Sequence, residues 1–157
     1  MLKTEDRAII VPDAPDIPGL TFRHFRGEED YPHMAAVLEG CKDKDEEERV
    51  VSVEDIARSY SNLKNCEPYQ DMIFLEIDGN PIAAVMCFNY QSTVYLYNNG
   101  YDRRYRSLSA GLLCKLLSIK ESIQSGKKTY DLLKGSEPYK HRLGGKPIPL
   151  YRCDIGI

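Results

Sequence analysis

No stretch of the chain approaches the apolar length that a membrane-spanning helix needs, so the sequence reads as non-membrane. Nothing like a secretory signal opens it either. The first residues, Met1-Leu2-Lys3-Thr4-Glu5-Asp6, are too polar, and a cytoplasmic location is expected. Cysteines are scattered: Cys41, Cys66, Cys87, Cys114 and Cys153 are odd in number and contain no close pair. That argues against a disulfide framework and a zinc site, and for a reducing compartment. Each cysteine is read as a small buried hydrophobe, and no metal is expected. There is no basic tail, and the net charge is −3. Nucleic acid is therefore not the expected partner, although a local basic patch stays open.

What remains is an ordinary globular composition. A chain of 157 residues, 42% hydrophobic and 29% charged, suits one domain with a real core. Residues 1–19, with Pro12, Pro15 and Pro18, read as an extended or flexible leader, and residues 20–157 as a single domain.

The stretch from Thr93 to Gly126 carries the most information. Thr93–Tyr97 is β-branched and aromatic, as a strand is. Asn98-Asn99-Gly100 is a polar bend. Arg103, Arg104 and Arg106 stand in a turn rich in small residues, and a helix follows with Leu112, Leu116, Ile119 and Ile123 on one stripe. A strand that feeds such a turn into a helix N-terminus offers unpaired N–H groups and a favourable dipole to an anion. An ordinary strand, loop and helix with a solvated basic turn has the same pattern.

Around that stretch the chain reads in order. Leu20–Phe25 alternates as a half-buried strand, with His24 on the polar phase. A helix starts at Asp30-Tyr31-Pro32, with Asp30 as N-cap and Met34, Leu38 and Cys41 on one face. The charged run Lys42–Arg49 reads as a solvated face or loop. Ser52 and Asp55 form a capping box for a second helix that turns Val53, Ile56, Tyr60 and Leu63 inward. Met72–Ile77 and Ile82–Phe88 are strands joined at Asp78-Gly79-Asn80-Pro81. After the long helix come a strand at Thr129–Leu133, parallel to the third meander strand, a short helix at Glu137–Arg142, and a last edge strand at Ile148–Ile155.

Strand, two helices, three-stranded meander, long helix, strand, short helix, strand: that order, with the basic turn before the long helix, resembles the GNAT N-acetyltransferase family. In that family Gln or Arg, two residues, Gly, one residue and then Gly or Ala mark the pyrophosphate loop. Arg106 and Gly111 match, and Ser109 stands at the middle glycine. The segments Tyr101–Tyr105, Leu108–Leu113, Tyr130–Gly135 and Glu137–Lys140 are similar to CelD-type acetyltransferases. Gly19–Arg23, Glu29–Tyr31 and Asn65–Pro68 are closer to mycothiol-synthase-like members.

The resemblance implies an α/β (α+β) fold with a mixed sheet, one splayed strand pair and helices on both faces. It implies acetyl transfer from acetyl-CoA, or another acyl-CoA, to an amine of a small molecule or peptide. The acyl-CoA would contact Tyr97, Asn98, Tyr101, Arg104, Arg106, Ser107, Leu108, Ser109, Ala110 and Gly111. A backbone N–H near Tyr97 or Asn98 would polarise the thioester, from a bulge at Asn98-Asn99-Gly100. Tyr139 is placed as general acid toward the thiolate, and is otherwise a packed aromatic. Glu76 is placed as general base, with Asp131 and Glu137 as alternatives. Lys140 and His141 read as phosphate or acceptor contacts, and Tyr95 and Tyr105 with Tyr97 and Tyr101 as pocket walls. A homodimer is expected. The competing reading is a GNAT-like domain that binds acyl-CoA without turning it over.

Overall fold

The computed structural model describes residues 8–12, 14–39, 51–64 and 66–153. Cys41, the charged run Lys42–Arg49, Asn65 and the end of the expected last strand lie outside the described residues. Five strands form one sheet in the order β1-β2-β3-β4-β5. β1 (Leu20–His24), β2 (Met72–Ile77), β3 (Asn80–Tyr90) and β4 (Thr93–Tyr101) are antiparallel neighbours, and β5 (Thr129–Asp131) runs parallel to β4.

Local chemistry sets the turns. Asp78 and Gly79 both take positive φ, 50° and 76°, and that pair of conformations matches the twist of a tight hairpin. Pro81 then enters β3 opposite Glu76, where the register shifts between Leu75 and Glu76. A residue without an N–H is tolerated at such an irregularity.

Helices cover both faces. On one lie α1 (Tyr31–Glu39) and α2 (Val53–Ser61), packed over Met72, Phe74 and Met86 with Phe25. The capping box of α2 is present: Asp55 N–H donates to Ser52 Oγ at 3.1 Å and Ser52 N–H to Asp55 Oδ2 at 3.2 Å. A short α3 (Pro68–Asp71) leads into β2. On the other face α4 (Ala110–Gln124) lies on Phe22, Leu75, Val85 and Leu96. Ile9, Val11 and Ala14 also pack on that core, and Ile9 N–H donates to Phe22 O at 2.8 Å. The last helix, α5 (Pro138–Arg142), follows β5. Among the described residues no helix is long and apolar enough to cross a membrane.

Several expectations are corrected. Asp30 is not a helix N-cap. It ends a 3-10 turn at Gly27–Asp30 and accepts hydrogen bonds from Arg26 N–H at 2.7 Å and from Arg23. β4 does not stop at Tyr97, because β3 supplies partners as far as Tyr101. β5 stops at Asp131, whose carboxylate takes the Leu133 N–H at 2.7 Å while Leu133 turns to φ 58°. Residues 146–153 form no strand, and Tyr151 is 90% exposed. Pro147 and Pro149 remove two N–H donors from the same edge of any strand there. Cys114 is buried, but Cys153 is exposed.

The buried face of α4 also differs. Ala110, Gly111, Cys114, Lys115 and Ser122 face inward, while Leu116 and Ile123 are exposed, Ile123 to 69%. Close approach decides this. A Cβ on Gly111 would sit 2.8 Å from Cδ1 of Tyr101, so the helix lies nearer the sheet than any larger residue permits. Gly111→Ala is therefore expected to lose about 1–3 kcal/mol of stability through overpacking. Urea unfolding measures it, and an unchanged midpoint would remove the packing role.

Candidate active site

The sheet opens where chemistry was expected. β4 and β5 pair only at Thr93↔Thr129, Val94↔Tyr130 and Tyr95↔Asp131. Beyond Tyr95, β4 runs on to Tyr101 without β5 beside it. Tyr97 is the extra residue of a bulge, since Met86 faces Asn98 while Cys87 faces Leu96. The bulge is one residue earlier than the bend at Asn98 suggested. It twists β4 away from β5 and, among the described residues, leaves main-chain groups of its outer edge without a partner strand. The Tyr97 ring, half exposed, packs on Phe88 with centroids 4.6 Å apart.

From the end of β4 the chain enters a 3-10 helix at Arg103–Leu108. Asp102 caps it, accepting from Arg104 N–H at 2.9 Å, and holds the Arg104 guanidinium through Nε at 2.9 Å. Ser109 takes φ 51° and ψ 33°, the left-handed conformation that glycine adopts without strain. The serine thus stands in a glycine's place and also in its geometry. Its side chain makes no cap hydrogen bond to α4, and its carbonyl takes the Leu112 and Leu113 N–H groups at 2.9 Å, so what this end offers an anion is the positive end of the helix dipole. Arg106, Ser107, Leu108 and Ser109 are exposed around that N-terminus. Ala110 is fully buried and Gly111 is pressed against the Tyr101 ring. Ala110 therefore has no side chain to offer a ligand, and Tyr101 is a wall of the core.

Tyr139 comes from α5. Its hydroxyl stands near the Asn99 side chain, and its ring lies 4.5 Å from Lys115 Nζ. Burial pushes the Tyr139 phenol above its usual range, with Lys140 and Asn99 pulling against it. Lys115 is buried and donates to Gly111 O at 3.2 Å. Burial lowers its basicity. Three elements thus meet at one phenol: β4 through Asn99, α4 through Lys115 and α5 through Tyr139 itself.

The expected bases are engaged elsewhere. Glu76 is 4% exposed and bonded to Arg23 Nε at 2.5 Å and Arg26 Nη1 at 3.4 Å. It is a structural carboxylate, not a base presented to a cleft. Asp131 closes the turn after β5. Glu137 pairs with Lys140 Nζ at 2.9 Å, and that bond holds its carboxyl below the usual range. Lys140 is no phosphate contact: its ammonium donates to Leu133 O at 3.1 Å and Lys134 O at 2.7 Å, pinning the loop before Tyr139. Among the described residues no group of three or more His, Cys, Asp or Glu side chains gathers.

A cavity lies on the opposite face of β4, where the junction of the two helices after the first strand was open to bordering a substrate cleft. It is lined by His33, Met34, Val37 and Leu38 of α1, Tyr60 of α2, Met72 and Phe74 of β2, residues 81–86 of β3, and Asn98, Asn99 and Gly100 of β4. Strand alternation sends Asn98 and Asn99 to opposite sides. Asn98 stands near the Tyr60 hydroxyl and Asn99 near that of Tyr139. A further available signal was the helical spacing of His33 and Val37, four apart on α1.

Known proteins were compared with this geometry. A structure described as a possible acetyltransferase from Clostridium difficile 630 superposes with a TM-score of 0.60 at 12% identity, over 88% of this chain and 97% of that one. A GCN5-related N-acetyltransferase from Sphaerobacter thermophilus gives 0.52 at 22% identity, over 71% of this chain and 33% of that one, so the chain spans about a third of that protein. An aminoglycoside acetyltransferase from an uncultured soil metagenomic sample gives 0.53 at 9% identity, over 88% and 97%. These likenesses speak to the fold alone. No curated protein matches the sequence. The family model of the acetyltransferase (GNAT) domain matches residues 18–141, and the chain belongs to the GNAT acetyltransferase family.

Proposed function

We propose that this protein is an acyl-CoA-dependent N-acyltransferase, using acetyl-CoA or another acyl-CoA and an amine acceptor, carried by a single domain over residues 20–157. One observation carries the reading: β4 is left open beyond Tyr95, with the N-terminus of α4 at one end of the opening and Tyr139 beside it. Arg106, Ser107, Leu108 and Ser109 surround the pyrophosphate at the positive end of the α4 dipole. Arg104, already tied to Asp102, adds charge at the rim. The free edge of β4 pairs with the pantetheine arm, and a main-chain N–H at Tyr97 or Asn98 polarises the thioester carbonyl.

The acceptor amine attacks the carbonyl carbon. A C–N bond forms, the C–S bond breaks, and the amine proton leaves to His33, directly or through water. Tyr139 donates its proton to the departing thiolate. A thiol has a pKa of about 8.5, so this proton stabilises the leaving group without having to be strongly driven. Lys115 beneath the ring favours the phenolate that results.

The experiment is calorimetric titration of acetyl-CoA into wild type and Arg106→Ala. Micromolar binding is expected, weakened about tenfold to a hundredfold in the variant, because a charged hydrogen bond contributes about 1.5–3 kcal/mol. Absence of binding to the wild type sinks the proposal.

The reading extends to a cytoplasmic homodimer. Cys66, Cys87, Cys114 and Cys153 are free thiols, as a reducing compartment keeps them. Leu116, Ile123, Ile148, Leu150 and Tyr151 stay exposed, more apolar surface than a monomer need show. Sedimentation at twice the chain mass is the expected result, and a monomer at micromolar concentration would reject it.

A further inference from the structure

We infer that the acceptor is a primary amine on a compact apolar body, a single ring or short alkyl chain, seated in the cavity between α1, α2 and β4. The inference rests on the acyltransferase reading and names its second substrate.

Position comes first. The cavity reaches Asn98, Asn99 and Gly100, the part of β4 that β5 leaves open. A molecule in it lies across β4 from Tyr139, near which Asn99 stands. The lining chemistry then narrows the occupant. Among the described residues its walls hold no Asp, Glu, Lys or Arg. Among the described residues its polar side chains are those of His33, Tyr60 and Asn98, joined by main-chain groups. The nearby charges are closed off: Arg23, Asp30 and Glu76 are bonded to one another, with the Arg23 guanidinium 4.6 Å from the Phe74 ring centroid. A polyamine or aminoglycoside would shed its hydration against a wall with no carboxylate to meet it. A peptide would bury more N–H and C=O groups than three polar side chains can satisfy.

The apolar walls are specific in kind. The chain has four methionines, and Met34, Met72 and Met86 all line this cavity with Phe74 and Tyr60. Thioethers are polarizable, adapt to shape and make favourable contacts with aromatic rings. The floor is firm, since Met72, Phe74 and Met86 are buried, while Leu38 at the rim is exposed. The volume is about 90 Å³, room for a few heavy atoms and not for several rings. Apolar surroundings also favour the neutral, nucleophilic form of the amine, so His33 has only one proton to take after attack.

The test follows CoA release by the purified protein with acetyl-CoA and four probes: 2-phenylethylamine, hexylamine, spermidine and an alanine-starting peptide. Phenylethylamine and hexylamine are expected to exceed spermidine and the peptide at least a hundredfold in kcat/KM. Each methylene from butylamine to hexylamine is expected to lower KM about fourfold. Met34→Trp fills the cavity and should raise KM for phenylethylamine at least tenfold while leaving acetyl-CoA affinity unchanged. Leu38→Glu, at the exposed rim, should raise kcat/KM for spermidine about tenfold. Preference for spermidine or the peptide, or no turnover of any probe, with acetyl-CoA bound normally, overturns the inference and leaves cofactor binding standing. Failure to bind acetyl-CoA at all removes the acyltransferase reading itself, and this inference with it.

Discussion

Arg23→Met is expected to destabilise the protein by about 3–5 kcal/mol, the range for removing one partner of a buried ion pair. Arg23 is 4% exposed. It donates to Asp30 through Nη1 at 2.8 Å and Nη2 at 2.6 Å, to Glu76 through Nε at 2.5 Å, and to His24 O at 2.9 Å. Methionine keeps much of the length and apolar stem but leaves two buried carboxylates facing each other with only the partly exposed Arg26, 3.4 Å from Glu76, as a cation. The damage lies at the mouth of the fold, where β1, β2 and the turn before α1 meet, so the acceptor cavity should loosen with it. Urea denaturation at neutral pH measures the change. A loss below about 1 kcal/mol would mean water reaches these carboxylates and screens them, as at exposed pairs.

Tyr139→Phe is expected to lower kcat about a hundredfold while leaving the acetyl-CoA dissociation constant within twofold. General acid catalysis contributes about 10²–10⁴-fold, and the thiolate's modest demand for a proton places this step at the low end. Phenylalanine keeps the ring that Lys115 contacts, so the packing remains and only the hydroxyl near Asn99 is lost. The sign of the pH effect follows. Burial raises the phenol above its ordinary value, so Tyr139 keeps its proton through the neutral range. Its contribution disappears only as pH rises through that raised value, and the basic decline in kcat should be absent from Tyr139→Phe. An unchanged kcat would make Tyr139 a packed aromatic, and the binding-only reading of the fold would gain.

Sequence pattern carried the fold wherever it was local. The turn at Asp78-Gly79, the Ser52–Asp55 capping box and the short helix bearing Tyr139 are each set by residues within a few positions, and each lies where expected. Long-range chemistry was hidden. Glu76 looked like a cleft carboxylate because its partner Arg23 stands 53 residues earlier. The stripe of Leu112, Leu116, Ile119 and Ile123 looked like the buried face of α4 because hydrophobicity was counted without distance. Gly111 against Tyr101 lets the backbone approach, and the small-residue face wins. His33, Tyr60, Asn99 and Lys115 belong to four different elements, and no spacing in the chain relates them. Ser109 is the instructive intermediate. Its identity departs from the glycine of the family loop, but its φ of 51° does not.

The most direct measurement is hydrogen exchange, followed by mass spectrometry, with and without acetyl-CoA. The account predicts slowed exchange confined to residues 96–100, the open edge of β4, and residues 107–112, the start of α4, with little change in β1 or β2. Protection elsewhere, or none at saturating ligand, would contradict the claim that the opening between β4 and β5 is where acyl-CoA is held.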